Sequence, residues 1–452
     1  MRVAVRALPG DVAPEALLRR LAARARARGL PAPAALIGEW FGGTAVLAPS
    51  VQVAPVQVAP VSGAAGPVDG PRAGAPVSGA AARALGVVDE QPVVVDVPPG
   101  AVGGGWIGYL GYGLTDPGRW VRRLPLAAWG WADHVLRRDR GGRWWFEALV
   151  PDGAPYPHEQ ADELAALLTG DDPPTARWHV DAIRAPDRDR HERAVLACMA
   201  AIRAGEIYQA NVCTRYELRL AGDPLEVFAA GVARHAPAHA AFLAGGWGAL
   251  ASLSPELFLS RRGGLVRSSP IKGTAPRDPH DTANAALLAA SAKDRAENVM
   301  IVDLVRNDLG AVAVTGSVEV PALCAVEQHP GLVHLVSTVR ATLRPDAAWA
   351  DLLAASFPPG SVTGAPKSSA LTAIADLEHV PRGPYCGAVG WVDADRQEAA
   401  LAVGIRTFWV AGGRLHLGTG AGITWGSDAD AEWDETELKA RRLLSVAAEE
   451  AR

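Results

Sequence analysis

The sequence predicts an α+β fold, and three observations support that class. Trp-rich and β-branched segments between residues 93 and 146 are typical of strands separated by turns. Leucines and a valine at 257–259 and 265–266 flank Arg262-Gly263-Gly264, which predicts a hairpin. From about residue 190 onward, strand-like and helix-like segments alternate with short turns between them. Strands and helices that are apolar on one face must bury that face against each other, in a shared hydrophobic core.

The N-terminal part contains a segment of low complexity at residues 51–86. Val-Gln-Val-Ala-Pro occurs twice in succession at 51–60, and Ala-Pro-Val-Ser-Gly-Ala-Ala occurs at 59–65 and again at 75–81. Because this composition can bury little apolar surface, we expect a flexible insertion. The β-branched run Val93–Val97 is predicted to be the first strand after it.

Pro and Asp residues cluster at 170–188, which indicates a linker. We therefore place a boundary near residue 180. It separates an N-terminal region, 1–180, from a catalytic region, 181–452, although the two can still pack as one body.

Composition excludes several functional classes. The 452 residues are 49% hydrophobic and 21% charged, as in a globular protein with a sizeable core. A net charge of −5 argues against nucleic acid as a partner. The four cysteines form no C-x-x-C pair, and neither a signal peptide nor an apolar run of ~18 residues is present. We expect a cytoplasmic protein with free thiols and no membrane span.

Gly103, Gly105 and Gly108 match the spacing of a dinucleotide-binding loop. That fingerprint requires a helix to begin at the third glycine, whereas aromatic residues and further glycines follow here. We interpret the glycines as positions where strands approach closely.

Three polar residues after position 200 suggest chemistry. Gln209 stands where a helix gives way to a strand, and its amide could steer a small nucleophile. The predicted hairpin can bring Glu256 and Lys272 to one cleft. There, a buried Glu can act as a general acid and a desolvated Lys as a nucleophile. A buried salt bridge is the alternative explanation.

Carboxylates recur on two predicted helices. Glu297 shares a helical face with apolar residues in 292–304, and Glu432, Glu435 and Lys439 share another at i, i+3 and i+7. Two helices that offer carboxylates to one point make a plausible Mg²⁺ site. Solvent-facing charge is the other interpretation.

Two loops and an arginine suggest an anionic ligand. Residues 358–367 precede a predicted helix that begins near Pro366, so free backbone N–H groups can face an anion. The glycines of 418–422 allow close backbone approach to a ligand. Arg406 is suited to binding a carboxylate.

Taken together, these segments resemble the chorismate-utilising enzymes, which include anthranilate, aminodeoxychorismate, isochorismate and salicylate synthases. The resemblance runs from Gly205 to Leu444 and rests on these motifs: Ser254-Pro255-Glu256, Pro270-Ile271-Lys272-Gly273-Thr274, Asp294-Arg295-Ala296-Glu297-Asn298, Thr363-Gly364-Ala365-Pro366-Lys367, Arg382-Gly383-Pro384-Tyr385-Cys386-Gly387, Ile405-Arg406-Thr407 and Glu432-Trp433-Asp434-Glu435-Thr436. It implies two large antiparallel sheets packed face to face, with helices outside and the cleft at one side.

The resemblance also implies roles for individual residues. Mg²⁺ would be bound by Glu297 and Glu435, with Glu432 close by. Glu256 would be the general acid and Lys272 the nucleophile. Chorismate would be held by Gln209, Thr274, His334, Thr363, Gly364, Tyr385, Arg406, Gly420, Ala421, Gly422 and Lys439.

The branch of the family follows from one position. The aminodeoxychorismate branch has lysine at the position of Lys272, where anthranilate synthases have alanine, so the resemblance implies amination of chorismate at C4 for p-aminobenzoate and folate synthesis. Where the salicylate and isochorismate branches carry a water-activating lysine, this chain has Gln209. No cysteine lies in a glutaminase-type nucleophile turn, so a separate glutamine amidotransferase subunit is expected to supply ammonia.

Three alternatives remain at this point: another chorismate chemistry (anthranilate, salicylate or isochorismate formation), a non-catalytic subunit that only binds the glutaminase, and a dinucleotide-dependent oxidoreductase. Residues 38–43 lack the Leu-Leu-Glu-Ser signature of tryptophan-regulated relatives.

Overall fold

The computed structural model describes residues 1–56, 86–89, 92–115, 123–277, 283–329, 332–393 and 398–448. Within them, two antiparallel sheets account for all the named strands. The strands are β1 (Arg2–Ala7), β2 (Ala34–Gly38), β3 (Ala45–Ala48), β4 (Ala54–Pro55), β5 (Gly105–Leu110), β6 (Ala127–Ala132), β7 (His134–Arg138), β8 (Trp144–Val150), β9 (His179–Arg184), β10 (Gln209–Ala221), β11 (His239–Gly245), β12 (Gly248–Ser254), β13 (Leu257–Arg262), β14 (Leu265–Ser269), β15 (Ile271–Pro276), β16 (Glu319–His329), β17 (Leu332–Thr342), β18 (Gly364–Ala365), β19 (Ala388–Asp393), β20 (Glu398–Val403), β21 (Thr407–Ala411) and β22 (Arg414–Ile423).

The first sheet runs β1-β8-β7-β3-β2-β11-β12-β21-β22-β10-β18, and β9 also pairs with β10. The second runs β15-β17-β14-β13-β20-β19-β5-β6-β4, and β16 also pairs with β17. The helices are α1 (Pro14–Arg28), α2 (His158–Thr169), α3 (Arg188–Arg203), α4 (Pro224–His235), α5 (Ala283–Ala290), α6 (Ala292–Gly310), α7 (Trp349–Ser356), α8 (Lys367–Leu377) and α9 (Ala429–Ala447).

One hydrophobic core lies between the sheets, and another lies between the first sheet and its covering helices. Successive side chains of β2 point into different cores. Leu36 packs in the core that also contains Tyr109 and Trp391 of the second sheet. Ile37 packs in the core that contains Leu17 of α1. This alternation is the period-two pattern of a strand buried on both faces. The predicted fold, two antiparallel sheets packed together with helices outside, is confirmed.

Most local predictions are confirmed. The hairpin around Arg262-Gly263-Gly264 forms from β13 and β14, and the helix predicted at 292–304 extends to Gly310. Gly105 and Gly108 lie in β5, and a Cβ on Gly108 would come within 2.3 Å of the Ala128 carbonyl oxygen. The interpretation of these glycines as sites of close strand packing is therefore correct.

Two local predictions are wrong. Val93–Val97 is not a strand: it makes a single parallel bridge, at Asp96, and the side chains of Val93 and Val95 are 68% and 71% exposed. A β-branched run of which only Val94 and Val97 pack against a core does not by itself specify a strand. The stretch 170–188 is not wholly a linker, because β9 lies within it and pairs with β10.

Both sheets contain strands from either side of residue 180, so the two regions pack as one body. The division into 1–180 and 181–452 stays a prediction. Of the segment predicted to be a flexible insertion, 51–56 is ordered, with Val51 and Val53 buried, whereas 57–85 lies outside the described residues. No helix in the described part is long and apolar enough to cross a membrane.

Candidate active site

The site lies where one end of each sheet meets the other, at β10, β18 and β22 of the first and β13, β15 and β17 of the second. Glu256 occupies the junction of β12 and β13 and is 4% exposed. Burial raises the pKa of Glu256 to about 7, against the opposing effects of a hydrogen bond from Ser361 and the positive charge of Lys272. A carboxyl that is partly protonated at neutral pH can serve as a general acid.

Lys272 is the second residue of β15 and is partly buried. Burial lowers the pKa of the Lys272 ammonium, and the nearby Lys439 acts in the same direction. The carboxylates of Glu297, Glu256 and Glu435 oppose that shift without cancelling it. Glu256 and Lys272 form no direct ion pair among the described side chains. The buried salt bridge considered as the alternative is therefore not present. A lysine with a lowered pKa is suited to nucleophilic chemistry.

Gln209 begins β10 and is 1% exposed, and its Oε1 is buried with no hydrogen-bond partner in the described structure. A Cβ on Gly422 would lie 2.5 Å from Gln209 Nε2 and 3.3 Å from Lys272 Nζ, so these two nitrogens are within about 6 Å of each other. The glycine at 422 thus lets an amide and an amine converge. An unpaired buried carbonyl oxygen is costly, and it suits a ligand that brings an N–H or O–H donor.

The loop before α8 supplies Thr363 and Gly364. Gly364 pairs with β10 at Ala210, has a φ of 149°, and would place a Cβ 2.1 Å from the Gln209 carbonyl oxygen, so only glycine fits. The Thr363 hydroxyl donates to the Pro359 carbonyl at 2.8 Å. This loop is therefore fastened directly to the strand that carries Gln209.

The other predicted substrate-holding residues lie on strands and loops near these groups. The Tyr385 ring lies against Gly418 of β22, where a Cβ would be 2.3 Å from the ring. Thr274 and His334 meet across β15 and β17 through a 2.8 Å contact between Oγ1 and Nδ1.

Arg406 has a positive φ of 49° just before β21. Burial lowers the pKa of Arg406, and the Glu256 carboxylate opposes this shift, so the two groups interact.

The backbone of Gly420, Ala421 and Gly422 pairs with β10 at Cys213, Val212 and Asn211. The Lys439 ammonium on α9 donates to the Gly420 carbonyl at 3.2 Å. This contact places a cation at the β22 wall, on the helix that also carries the predicted metal-binding glutamates.

The predicted metal ligands lie on α6 and α9. Burial raises the pKa of Glu297 and of Glu432, and the Glu435 carboxylate adds to both shifts by repulsion. Burial also acts to raise the pKa of Glu435, but the ion pair with Lys439, 2.6 Å away, more than offsets this and leaves the pKa lowered. In the described part of the chain, no three potential ligands are already gathered at metal-binding distance.

Ser361, which lines the same small cavity as Glu256 and lowers the pKa of that carboxyl, is absent from the predicted site. So are Glu378 and Arg382, a buried ion pair beside the loop. Ser361 lies inside a segment that the sequence singled out, but its orientation depends on the turn at 360–362. The i, i+4 spacing of Glu378 and Arg382 is the one sequence signal for that pair.

Comparisons with known proteins found similar sequences and a similar fold. The family model described as chorismate binding enzyme matches residues 75–445. Aminodeoxychorismate synthase component 1 of Salmonella typhimurium is 38% identical over 359 residues, 75% of this chain and 76% of the relative. Anthranilate synthase component 1 of Saccharolobus solfataricus is 34% identical over 360 residues, 77% of this chain and 82% of the relative.

Among solved structures, anthranilate synthase component I from Streptococcus pneumoniae TIGR4 is similar, with a TM-score of 0.66 and 27% sequence identity. The similarity covers 75% of this chain and 80% of that one.

Proposed function

This chain belongs to the family of chorismate binding enzymes, and we propose that it is the aminodeoxychorismate synthase subunit that converts chorismate and ammonia to 4-amino-4-deoxychorismate. A separate glutamine amidotransferase subunit would release the ammonia from glutamine. The product would feed p-aminobenzoate and folate synthesis. The 38% identity to an enzyme of that name supports this choice within the family.

One observation carries the proposal: the Gln209 amide, whose Oε1 is buried without a hydrogen-bond partner in the described structure, converges with the Lys272 amine, so that Gln209 Nε2 and Lys272 Nζ are within about 6 Å of each other. Ammonia needs an acceptor to orient its N–H bonds but needs no base to become a nucleophile. Water would need a general base, and an amide cannot act as one. The pair therefore favours amination over the hydroxylation that an isochorismate synthase performs.

The reaction would use Glu256 and Lys272 in turn. The neutral Lys272 amine forms a bond to chorismate C2, the ring double bonds shift, and the C4–O bond breaks while Glu256 protonates the departing hydroxyl, which leaves as water. Ammonia, oriented by Gln209, then forms a bond at C4. The double bonds shift back, the C2–N bond breaks, and the proton released by the new C4 ammonium group restores Glu256.

The side chains at the α6–α9 interface fit a hard divalent cation. Mg²⁺ prefers carboxylate oxygens, and the position already attracts positive charge: Lys293 Nζ lies 3.9 Å from Glu432, and Lys439 lies 2.6 Å from Glu435. Glu297, Glu432 and Glu435 would hold the ion. When bound, Mg²⁺ would anchor the substrate's ring carboxylate and neutralise its charge.

Replacing Glu297 with Gln should greatly reduce chorismate turnover, with partial rescue at high Mg²⁺, because a charged ligand of a cation with few protein ligands is lost. Mg²⁺ at about 100 times its Kd should stabilise the native protein by about 2.7 kcal/mol, and the variant should lose this gain at the same concentration. Asp434→Asn, an exposed neighbour on α9, is the control. Undiminished activity in EDTA would rule out the metal.

The ammonia source is tested on the purified chain by chromatography of the products formed from chorismate. Ammonium at alkaline pH should yield 4-amino-4-deoxychorismate, because only NH₃ has a free lone pair, whereas glutamine should yield none. Addition of a glutamine amidotransferase subunit should restore the use of glutamine. Glutamine-dependent turnover by the chain alone would refute the need for a partner, and anthranilate as the main product would refute the assignment of the reaction.

A further inference from the structure

A buried ion pair lies directly behind the site, just after α8. Glu378 and Arg382 are 7% and 5% exposed. Arg382 Nε donates to Glu378 Oε2 at 2.9 Å, and Nη2 donates to Oε1 at 2.6 Å. The guanidinium also lies 4.2 Å from the centre of the Tyr112 ring. None of these three residues has a role in the reaction described above.

Further hydrogen bonds of the pair go to the backbone of two site segments. Arg382 Nη1 donates to the Val362 carbonyl at 2.9 Å, and Nη2 donates to the Asn211 carbonyl at 2.7 Å. On the other side, the Cys213 N–H donates to Glu378 Oε1 at 2.9 Å. One ion pair thus holds β10 on both sides of Val212 and also holds the loop before α8.

These segments carry the groups that must meet in the reaction. Asn211 lies two residues after Gln209, and Val362 directly follows Ser361, which lines the same small cavity as Glu256 and lowers the pKa of that carboxyl. The loop that begins at Arg382 also leads to Tyr385, whose N–H donates to the Arg382 carbonyl at 3.1 Å. Arg382 therefore connects the nucleophile side of the cleft to the general-acid side.

Stability alone does not explain the pair. Removing two charges from water costs about as much as their attraction returns, and replacing a buried ion pair with apolar residues is often neutral or stabilising. A planar guanidinium with five N–H groups has a property that an apolar pair lacks, since it fixes several carbonyls at set directions.

We propose that Glu378 and Arg382 are positioning residues that hold Gln209 at a fixed distance from Glu256, so that ammonia and the departing hydroxyl are aligned. This inference rests on the proposed function. A misplacement of about 1 Å between reacting groups can cost about 10²-fold in rate. Two of the predicted chorismate-holding residues, Thr363 and Tyr385, lie beside the pair. Arg406, Lys439 and the predicted metal-binding glutamates lie outside its hydrogen bonds, so chorismate binding should change far less than kcat.

The test compares two double variants. Glu378→Met with Arg382→Met removes the pair without leaving a lone buried charge. The matched control is Glu147→Met with Arg137→Met, another buried pair, joined at 2.6 Å, whose glutamate accepts from the Val102 and Gly103 amides. Glu147 lies on β8, eight strands from β10 in the first sheet, or about 40 Å at the usual spacing of strands.

The measurements are kcat with saturating ammonium, chorismate Kd by calorimetry, and the melting temperature. The Glu378/Arg382 variant should lose about 10²-fold in kcat while its chorismate Kd stays within a few-fold of wild type. The Glu147/Arg137 variant should keep kcat whatever its melting temperature. Unchanged kcat in the first variant, an equal loss in both, or a parallel collapse of chorismate binding would each overturn the positioning role.

Arg382→Lys provides a second route if the double variant does not fold. Lysine keeps the charge opposite Glu378 but cannot reach both carbonyls in one geometry, so a folded protein with reduced kcat is expected. Full activity in this variant would contradict the proposal. Because kcat is measured for whichever product wild type forms from chorismate, failure of wild type to form 4-amino-4-deoxychorismate counts against the proposed function alone.

Discussion

Replacing Lys272 with Ala should reduce ammonia-dependent C4 amination on the order of 10³-fold or more, since loss of a covalent nucleophile removes a whole route rather than one contact. Chorismate should still bind, because the carboxylate anchors remain. A trace of C2-aminated product is expected from direct attack of ammonia. Product chromatography and calorimetry measure the two effects separately.

Two further substitutions separate covalent from electrostatic roles for Lys272. Lys272→Arg keeps a positive charge that cannot be deprotonated, and Lys272→Met keeps the length without the amine. A covalent role predicts that both fail and that mass spectrometry of wild type during turnover detects an adduct at Lys272. Full C4 amination by Lys272→Ala would show that Lys272 forms no bond to chorismate. If Lys272→Arg retains partial activity and the other two variants do not, the role of Lys272 is electrostatic.

Replacing Glu256 with Gln should lower the rate by about 10²- to 10⁴-fold, the range for a positioned general acid. The pH dependence gives the sharper test. Glu256 is active when protonated, and burial raises its pKa to about 7, so the rate per free NH₃ should fall as pH rises through about 7. Lys272 must be neutral, and burial lowers its pKa, so the rate should also rise with pH as the Lys272 ammonium loses its proton.

The falling limb should disappear in Glu256→Gln, because the amide does not titrate. Glu226→Gln is the matched control, since Glu226 is also a buried glutamate but pairs with Arg19 on α1 at 2.8 Å. Its pH profile should match wild type. A falling limb that persists in Glu256→Gln would assign the acid to another group. Because the two charges interact, the apparent values belong to the Glu256–Lys272 pair.

Local signals in the sequence predicted much of the fold near the site. The β13–β14 hairpin followed from strand residues on both sides of a glycine turn, and α6 followed from its apolar spacing, with Ser291 at its N-cap. The strand prediction at Val93–Val97 was wrong because a strand also needs tertiary contacts, which local sequence does not specify. Strand residues were present, but beside β1 they form only an isolated bridge at Asp96, and the side chains of Val93 and Val95 stay exposed.

The sequence by itself determined the family and the residue types of the site, because these depend on short runs with fixed chemistry. Tertiary structure alone decided that Gln209 and Lys272 converge over Gly422, and that Arg382 connects β10 to the loop before α8. Gln209 is 63 positions from Lys272 and 213 positions from Gly422. Arg382 is 20 positions from Val362 and 171 positions from Asn211. Local periodicity contains no information over such separations, and the summed burial of two packed sheets is what brings the residues together.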